Sequence, residues 1–135
     1  MSVLLDTGIV YAYYDRSDDW HARAKDLIRR EARGLILPAP VIPEADYLLS
    51  RRLGMKSRRR FYQGIIEGHY FVADLPRQGY ARASAIDEQF ADLDLGFVDS
   101  AIVALAESLK VPRIATTDRR HFDPVATRLS LELLP

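Results

Sequence analysis

The order of apolar and amphipathic segments along this chain predicts an α/β fold. It is an open, mostly parallel central sheet of about five strands, with helices on both faces. Three observations carry that expectation. Strand and helix signals alternate from end to end in the order β-α-α-β-α-α-β-α-α-β-β, the pattern of wound parallel sheets. The 135 residues are 48% hydrophobic, enough for a real core. No repeat, linker or low-complexity stretch divides them, so residues 1–135 are expected to form a single domain.

Val3-Leu4-Leu5 is a short buried strand that ends at Asp6. Ile9–Tyr14 reads as a short helix with Asp6 or Thr7 near its cap. Ser17 or Asp18 is placed to cap a second helix, in which Trp20, Ala24, Leu27 and Ile28 share one face. Gly34 ends it, and Leu35-Ile36-Leu37 is the second strand. Pro40 and Pro43 fit just ahead of, or in, the first turn of a helix reaching about Leu53, where proline removes no helical hydrogen bond. Gly54 is a stop, and Ser57 is the expected cap of a helix to about Glu67. Tyr70–Ala73 is the third strand. Gln78–Phe90 is a helix with Ala83, Ile86 and Phe90 inward. Val98–Leu109 is apolar nearly all round and should be the central buried helix. Arg113–Thr116 is the fourth strand, and Leu129–Leu133 a weaker fifth at an edge.

Composition narrows the chemistry. There are no cysteines, which excludes disulfides, thiolate zinc sites and cysteine nucleophiles and fits a cytoplasmic setting. The three histidines, His21, His69 and His121, are too scattered for a histidine-rich zinc site. No apolar run approaches the ~20 residues of a membrane helix. Lys+Arg and Asp+Glu number 19 each, so global charge says nothing of nucleic acid. Its distribution says more. Arg51, Arg52, Lys56, Arg58, Arg59 and Arg60 form one basic block, and Arg119, Arg120 and His121 a smaller one. Such patches suit a polyanion's flanks, although arginines on helix faces are as often simply solvated.

Four acids stand out. Open parallel sheets bind ligands at the carboxyl ends of their strands. Asp6 and Asp118 follow strands directly, and Glu44 and Asp99 open helices that should begin at the same edge. Each alone has a plain explanation as a cap or a first-turn acid favoured by the helix dipole. Together they form a cluster whose mutual repulsion calls for a hard divalent cation, Mg²⁺ or Mn²⁺. The chemistry suggested is metal-assisted phosphodiester hydrolysis. Asp94 is a possible outer-shell group, while Asp92 and Asp123 read as solvated. Ser100 has no histidine partner and reads as a first-turn residue. His121 reads as a surface or capping histidine with at most a minor role. Tyr11, Tyr13 and Tyr14 read as core or interface. No phosphate-binding glycine loop and no G-x-S-x-G elbow is present.

The ordered set Val3-Leu4-Leu5-Asp6-Thr7, Val41-Ile42-Pro43-Glu44, Gly96 to Ala106 around Asp99, and Ile114 to Phe122 around Asp118 resembles the PIN-domain ribonucleases. The likeness is closest to the VapC-type toxins of bacterial toxin–antitoxin pairs. It implies a PIN-like three-layer fold and a Mg²⁺- or Mn²⁺-dependent endoribonuclease. By that likeness Asp6 and Asp99 are principal metal ligands, and Glu44 and Asp118 complete the site directly or through water. Thr116 orients the site, and Arg58, Arg59, Arg60 and Arg119 are candidate RNA contacts. The resemblance also implies an RNA substrate, a small antitoxin partner and a homodimer. Gly8 departs from the family pattern, which often has Ser or Asn there. Two competitors remain: a PIN fold that binds RNA or protein without cutting, and a haloacid-dehalogenase-type phosphatase. The latter would need a second acid at position 8.

Overall fold

The computed structural model describes all residues from Met1 to Pro135. The elements in order are β1 (Val3–Leu5), α1 (Thr7–Tyr14), α2 (His21–Arg30), β2 (Leu35–Pro38), α3 (Val41–Leu53), α4 (Met55–Ile66) and β3 (Phe71–Ala73). Then follow α5 (Arg77–Gln89), a 3₁₀ turn at Ala91–Leu93, α6 (Gly96–Leu109), β4 (Arg113–Ala115), α7 (Arg119–Leu129) and β5 (Glu132–Leu134). The strands form one sheet in the order β3-β2-β1-β4-β5, and every pairing is parallel. Given the strand order, right-handed crossovers, the rule for parallel strands, would place α1–α4, which carry the chain from β1 to β3, on one face. They would place α5–α7, which lead back to β4 and on to β5, on the other.

The direction of winding reverses between β1 and β4. Leu5 pairs with Ala115 there, and the Asp6 amide donates to the Ala115 carbonyl at 2.9 Å. A reversal of this kind leaves a crevice beyond the strand ends. The sheet interior is continuous with one core, in which Leu4, Leu5, Leu37, Ile102 and Ile114 are fully buried. Each such side chain contributes about 1.5–3 kcal/mol of apolar burial. In α6 every residue from Ser100 to Ala106 is buried, as its all-round apolar character requires.

Three local expectations are corrected. Residues 119–129, which carried no helix in the sequence reading, form α7, and the fifth strand is Glu132–Leu134 rather than 129–133. The helix is what makes β5 possible, because adjacent parallel strands need a crossover between them. β5 is an edge strand, as expected. Ser57 caps nothing: α4 begins directly after Gly54, whose φ of 99° lets the chain reverse between α3 and α4. Neither Ser17 nor Asp18 caps α2. Asp18 instead accepts from the Trp20 amide at 2.8 Å, closing a turn ahead of the helix.

Candidate metal centre

Four helices begin at the carboxyl edge of the sheet, and each brings one acid. Asp6 is the N-cap of α1 and Asp118 that of α7, while Glu44 and Asp99 lie in the first turns of α3 and α6. An acid at a helix start is locally favourable, because the free amides and the dipole both prefer negative charge. Gathering four such starts at one crevice is what the sheet topology adds.

The site is graded from interior to rim. Asp6 is 6% exposed. One of its oxygens accepts from the Thr7 amide at 2.7 Å, the other from the Thr116 hydroxyl at 2.8 Å. The Thr116 oxygen in turn accepts from the Asp118 amide at 2.9 Å. A single hydroxyl therefore ties the ends of β1 and β4 together. Asp99 is largely buried, Asp118 is half-exposed, and Glu44 is exposed. The Thr7 hydroxyl donates to Glu44 Oε1, which leaves Oε2 without a partner in the chain.

The electrostatics report the convergence. Burial pushes the Asp6 carboxyl up to about 6, with the Thr116 and Thr7 hydrogen bonds pulling against it and the charges of Glu44 and Asp118 adding to it. Asp99 is pushed up to about 7, by burial first and then by the charges of Asp6, Asp118 and Glu44. Asp99 thus feels all three of the other predicted acids. Buried carboxylates that resist ionising for want of a counter-charge are what an oxygen-ligated divalent cation relieves.

Two residues given little or no weight by sequence reasoning belong to this place. His121 presents Nδ1 2.9 Å from Asp118 Oδ2 and 3.5 Å from Asp99 Oδ2. One ligand atom each from Asp99, Asp118 and His121 lie within 4.8 Å of one another. The i, i+3 spacing of Asp118 and His121 would have revealed the pair, had α7 been recognised as a helix. Thr7 is the other, through its bond to Glu44. Asp94, by contrast, is exposed in a left-handed turn and is not among the charges that raise Asp99. Ser100 is buried with its hydroxyl unpartnered, so nothing activates it as a nucleophile.

The basic candidates divide. Arg58 is half-buried and engaged with α3, donating to Ser50 Oγ at 3.3 Å and lying 3.8 Å from Asp46. Arg119 donates to the Pro135 carbonyl and faces Asp123 at 3.9 Å. Arg60 sits over the Tyr14 ring at 5.9 Å. Arg59 is exposed and lines a shallow hollow of about 580 Å³ with Met55, Lys56, Arg60 and Gln63. Arg59 and Lys56 are therefore freer than Arg58 and Arg119 to meet a polyanion.

Known proteins are similar to this chain in sequence and fold. Ribonuclease VapC26 of Mycobacterium tuberculosis is 29% identical to the chain over 120 residues, 89% of each. The crystal structure of M. tuberculosis VapC20, described as a Sarcin-Ricin loop cleaving toxin, superposes with a TM-score of 0.78 at 19% identity, covering 84% of this chain and 87% of that one. DNA-bound VapBC from Salmonella typhimurium superposes with a TM-score of 0.74 at 16% identity, over 98% and 96%. The structural likenesses speak for the fold. The family model for the PIN domain matches residues 3–127, from the start of β1 to the last turn of α7, and so spans all four acids. With the sheet order, the crevice and its carboxylates in agreement with that match, the chain belongs to the PIN domain family.

Proposed function

We propose that this protein is a divalent-metal-dependent endoribonuclease that hydrolyses RNA phosphodiester bonds, and that it is the toxin of a toxin–antitoxin pair. The observation that carries the reading is the convergence of Asp6, Glu44, Asp99 and Asp118 at the winding reversal of the sheet. The ribonuclease and toxin assignments of the relatives accord with it. The donor set fits Mg²⁺ or Mn²⁺, being carboxylate oxygens whose ionisation burial and repulsion oppose. Asp6 and Asp99, the two most buried, would be the principal ligands, with Glu44 and Asp118 completing the set. A bound cation would supply Lewis-acid stabilisation of the phosphate and acidification of water.

The chain's own residues do the rest. Thr116 and the Thr7 amide hold Asp6 in one orientation, so little reorganisation is needed on binding. Glu44 Oε2, free and at the exposed rim, accepts the proton of the attacking water. Arg59 and Lys56 hold flanking phosphates. An antitoxin partner accords with the VapBC complex among the structural neighbours, and the homodimer rests on the resemblance to the family. One sheet over one core supports reading residues 1–135 as a single domain. No helix is long and apolar enough to cross a membrane, in keeping with a cytoplasmic toxin.

The phosphatase alternative loses its footing at position 8. Gly8 supplies no second acid, and a Cβ there would lie 2.2 Å from the Thr117 hydroxyl, which would have to turn aside. The decisive experiment is cleavage of labelled RNA by the purified chain in Mg²⁺, Mn²⁺ or EDTA, with Asp6→Asn as control. Metal-dependent cleavage lost in the variant is expected. Cleavage that survives in EDTA or in Asp6→Asn refutes the proposal, and binding without cleavage favours the non-cutting alternative.

A further inference from the structure

We propose that His121 is itself a ligand of the cation, and that it makes the centre favour transition-metal ions over Mg²⁺. The inference rests on the reading of the acidic crevice as a divalent-cation site. It adds an imidazole to the carboxylates that would hold the ion.

The donor separations are compatible with a shared coordination shell. Around an octahedral ion with ligands about 2.1 Å away, neighbouring donor atoms stand about 3 Å apart and opposite ones about 4 Å. His121 Nδ1 lies 2.9 Å from an oxygen of Asp118 and 3.5 Å from one of Asp99, and the three donors lie within 4.8 Å of one another. Those two carboxylates belong to different helices, α7 and α6, so the ring meets a convergence rather than a single partner. It makes no other polar contact within the chain. Its placement is fixed from below: the Asp118 side chain accepts from the His121 amide at 3.1 Å, which anchors the first turn of α7. The same carboxylate uses its other oxygen toward the imidazole. Asp118 thus positions the histidine and shares the ion with it.

The consequence is selectivity. Mg²⁺ is hard, dehydrates reluctantly and takes oxygen ligands, whereas first-row transition ions accept imidazole nitrogen readily. A mixed nitrogen–oxygen centre adds affinity for Mn²⁺ that Mg²⁺ does not share. The opposing account is that His121 only donates a hydrogen bond to Asp118, a contact that a cation would displace.

The two accounts differ in spectra as well as in rates. The full-length chain, stripped of metal, is titrated with MnCl₂ and with MgCl₂ by calorimetry, and the Mn²⁺ form is examined by pulsed electron paramagnetic resonance. The native protein should show ¹⁴N coupling from a directly bound imidazole. His121→Ala and His121→Asn should lose it, with Mn²⁺ affinity falling about tenfold or more and Mg²⁺ affinity by less than about threefold. Metal-free melting of both variants establishes that they are folded, and His69→Ala, at a histidine outside the crevice, should keep the coupling. Saturable Mn²⁺ binding without ¹⁴N coupling, or equal losses for the two ions, overturns the inference and leaves the acidic cation site standing. Failure of the native chain to bind either ion overturns both.

Discussion

Replacing Asp99 by Asn tests the electrostatic account of the crevice in the metal-free protein, apart from catalysis. The Asp99 carboxyl is raised from 3.8 to about 7 by burial and by three like charges. A carboxyl whose folded pKa lies above its unfolded value costs nothing at pH below about 4, where both states are protonated. As pH rises from about 4 to 7 the unfolded chain ionises first and native stability falls. Above pH 7 the full cost is present. Three pH units at about 1.4 kcal/mol each set a ceiling near 4 kcal/mol. Water at the partly open rim screens part of this. The net expectation is that Asn stabilises the apo protein by about 1–2 kcal/mol at pH 8, or ~3–6 °C in Tm. It should do almost nothing at pH 4. Thermal melts of both proteins in EDTA across that range measure the difference directly. With Mn²⁺ added, the native protein should rise in Tm and the variant hardly at all. A variant less stable than the native protein at pH 8, with a difference independent of pH, would refute the argument, because Asp99 would then be acting only as a helix-start acid.

Three further outcomes are expected. Thr116→Val removes the donor to Asp6 and the acceptor for the Asp118 amide at a position with no exposure, so denaturant melts should show a loss of about 1–3 kcal/mol. Because that hydrogen bond lowers the Asp6 pKa, the acid limb of the cleavage profile should also move to higher pH. Arg59→Ala and Lys56→Ala should flatten the salt dependence of RNA binding without changing Tm, whereas Arg58→Ala should lower Tm by detaching α4 from α3; both are read by binding titrations at several salt concentrations and by melts. Arg113→Ala should cost ~1–3 kcal/mol by chemical denaturation, since it removes the paired hydrogen bonds at 2.6 and 3.2 Å to the half-buried Glu31 carboxylate.

The acids were legible because each ended a strand or began a helix, and the topology of a parallel sheet sends such junctions to one edge. The strands of the interior were legible for a related reason: Leu35-Ile36-Leu37 and Ile114-Ala115 are apolar runs too short for helices. What stayed hidden depended on α7. Pro124 stands within that helix and reads as a breaker, yet Phe122, Val125, Ala126 and Leu129 carry the spacing of one buried face, and Asp118 caps the first turn. Missing the helix misplaced β5 and left His121 among surface residues. The roles of Arg58 and Arg119 were hidden for another reason. An arginine paired with Asp46 or a chain-end carbonyl cannot be told from a solvated one until the partner, distant in sequence, is placed beside it. Gly8 was seen as a departure, but only the Thr117 hydroxyl packed over it shows that the position is filled from the other side of the crevice.

The reversal of winding between β1 and β4 also sets when the centre comes into being during synthesis. Asp6 and Glu44 are made before the third strand, and Asp99, Asp118 and His121 only after it. The central strand β1 waits for β4 to pair on its second side, and the first 90 residues hold only half of the acids. A nascent chain therefore lacks the full set of acids until α6, β4 and the start of α7 have been made. For the endoribonuclease proposed above, that order would keep the nascent chain inactive beside its own template until the crevice has closed.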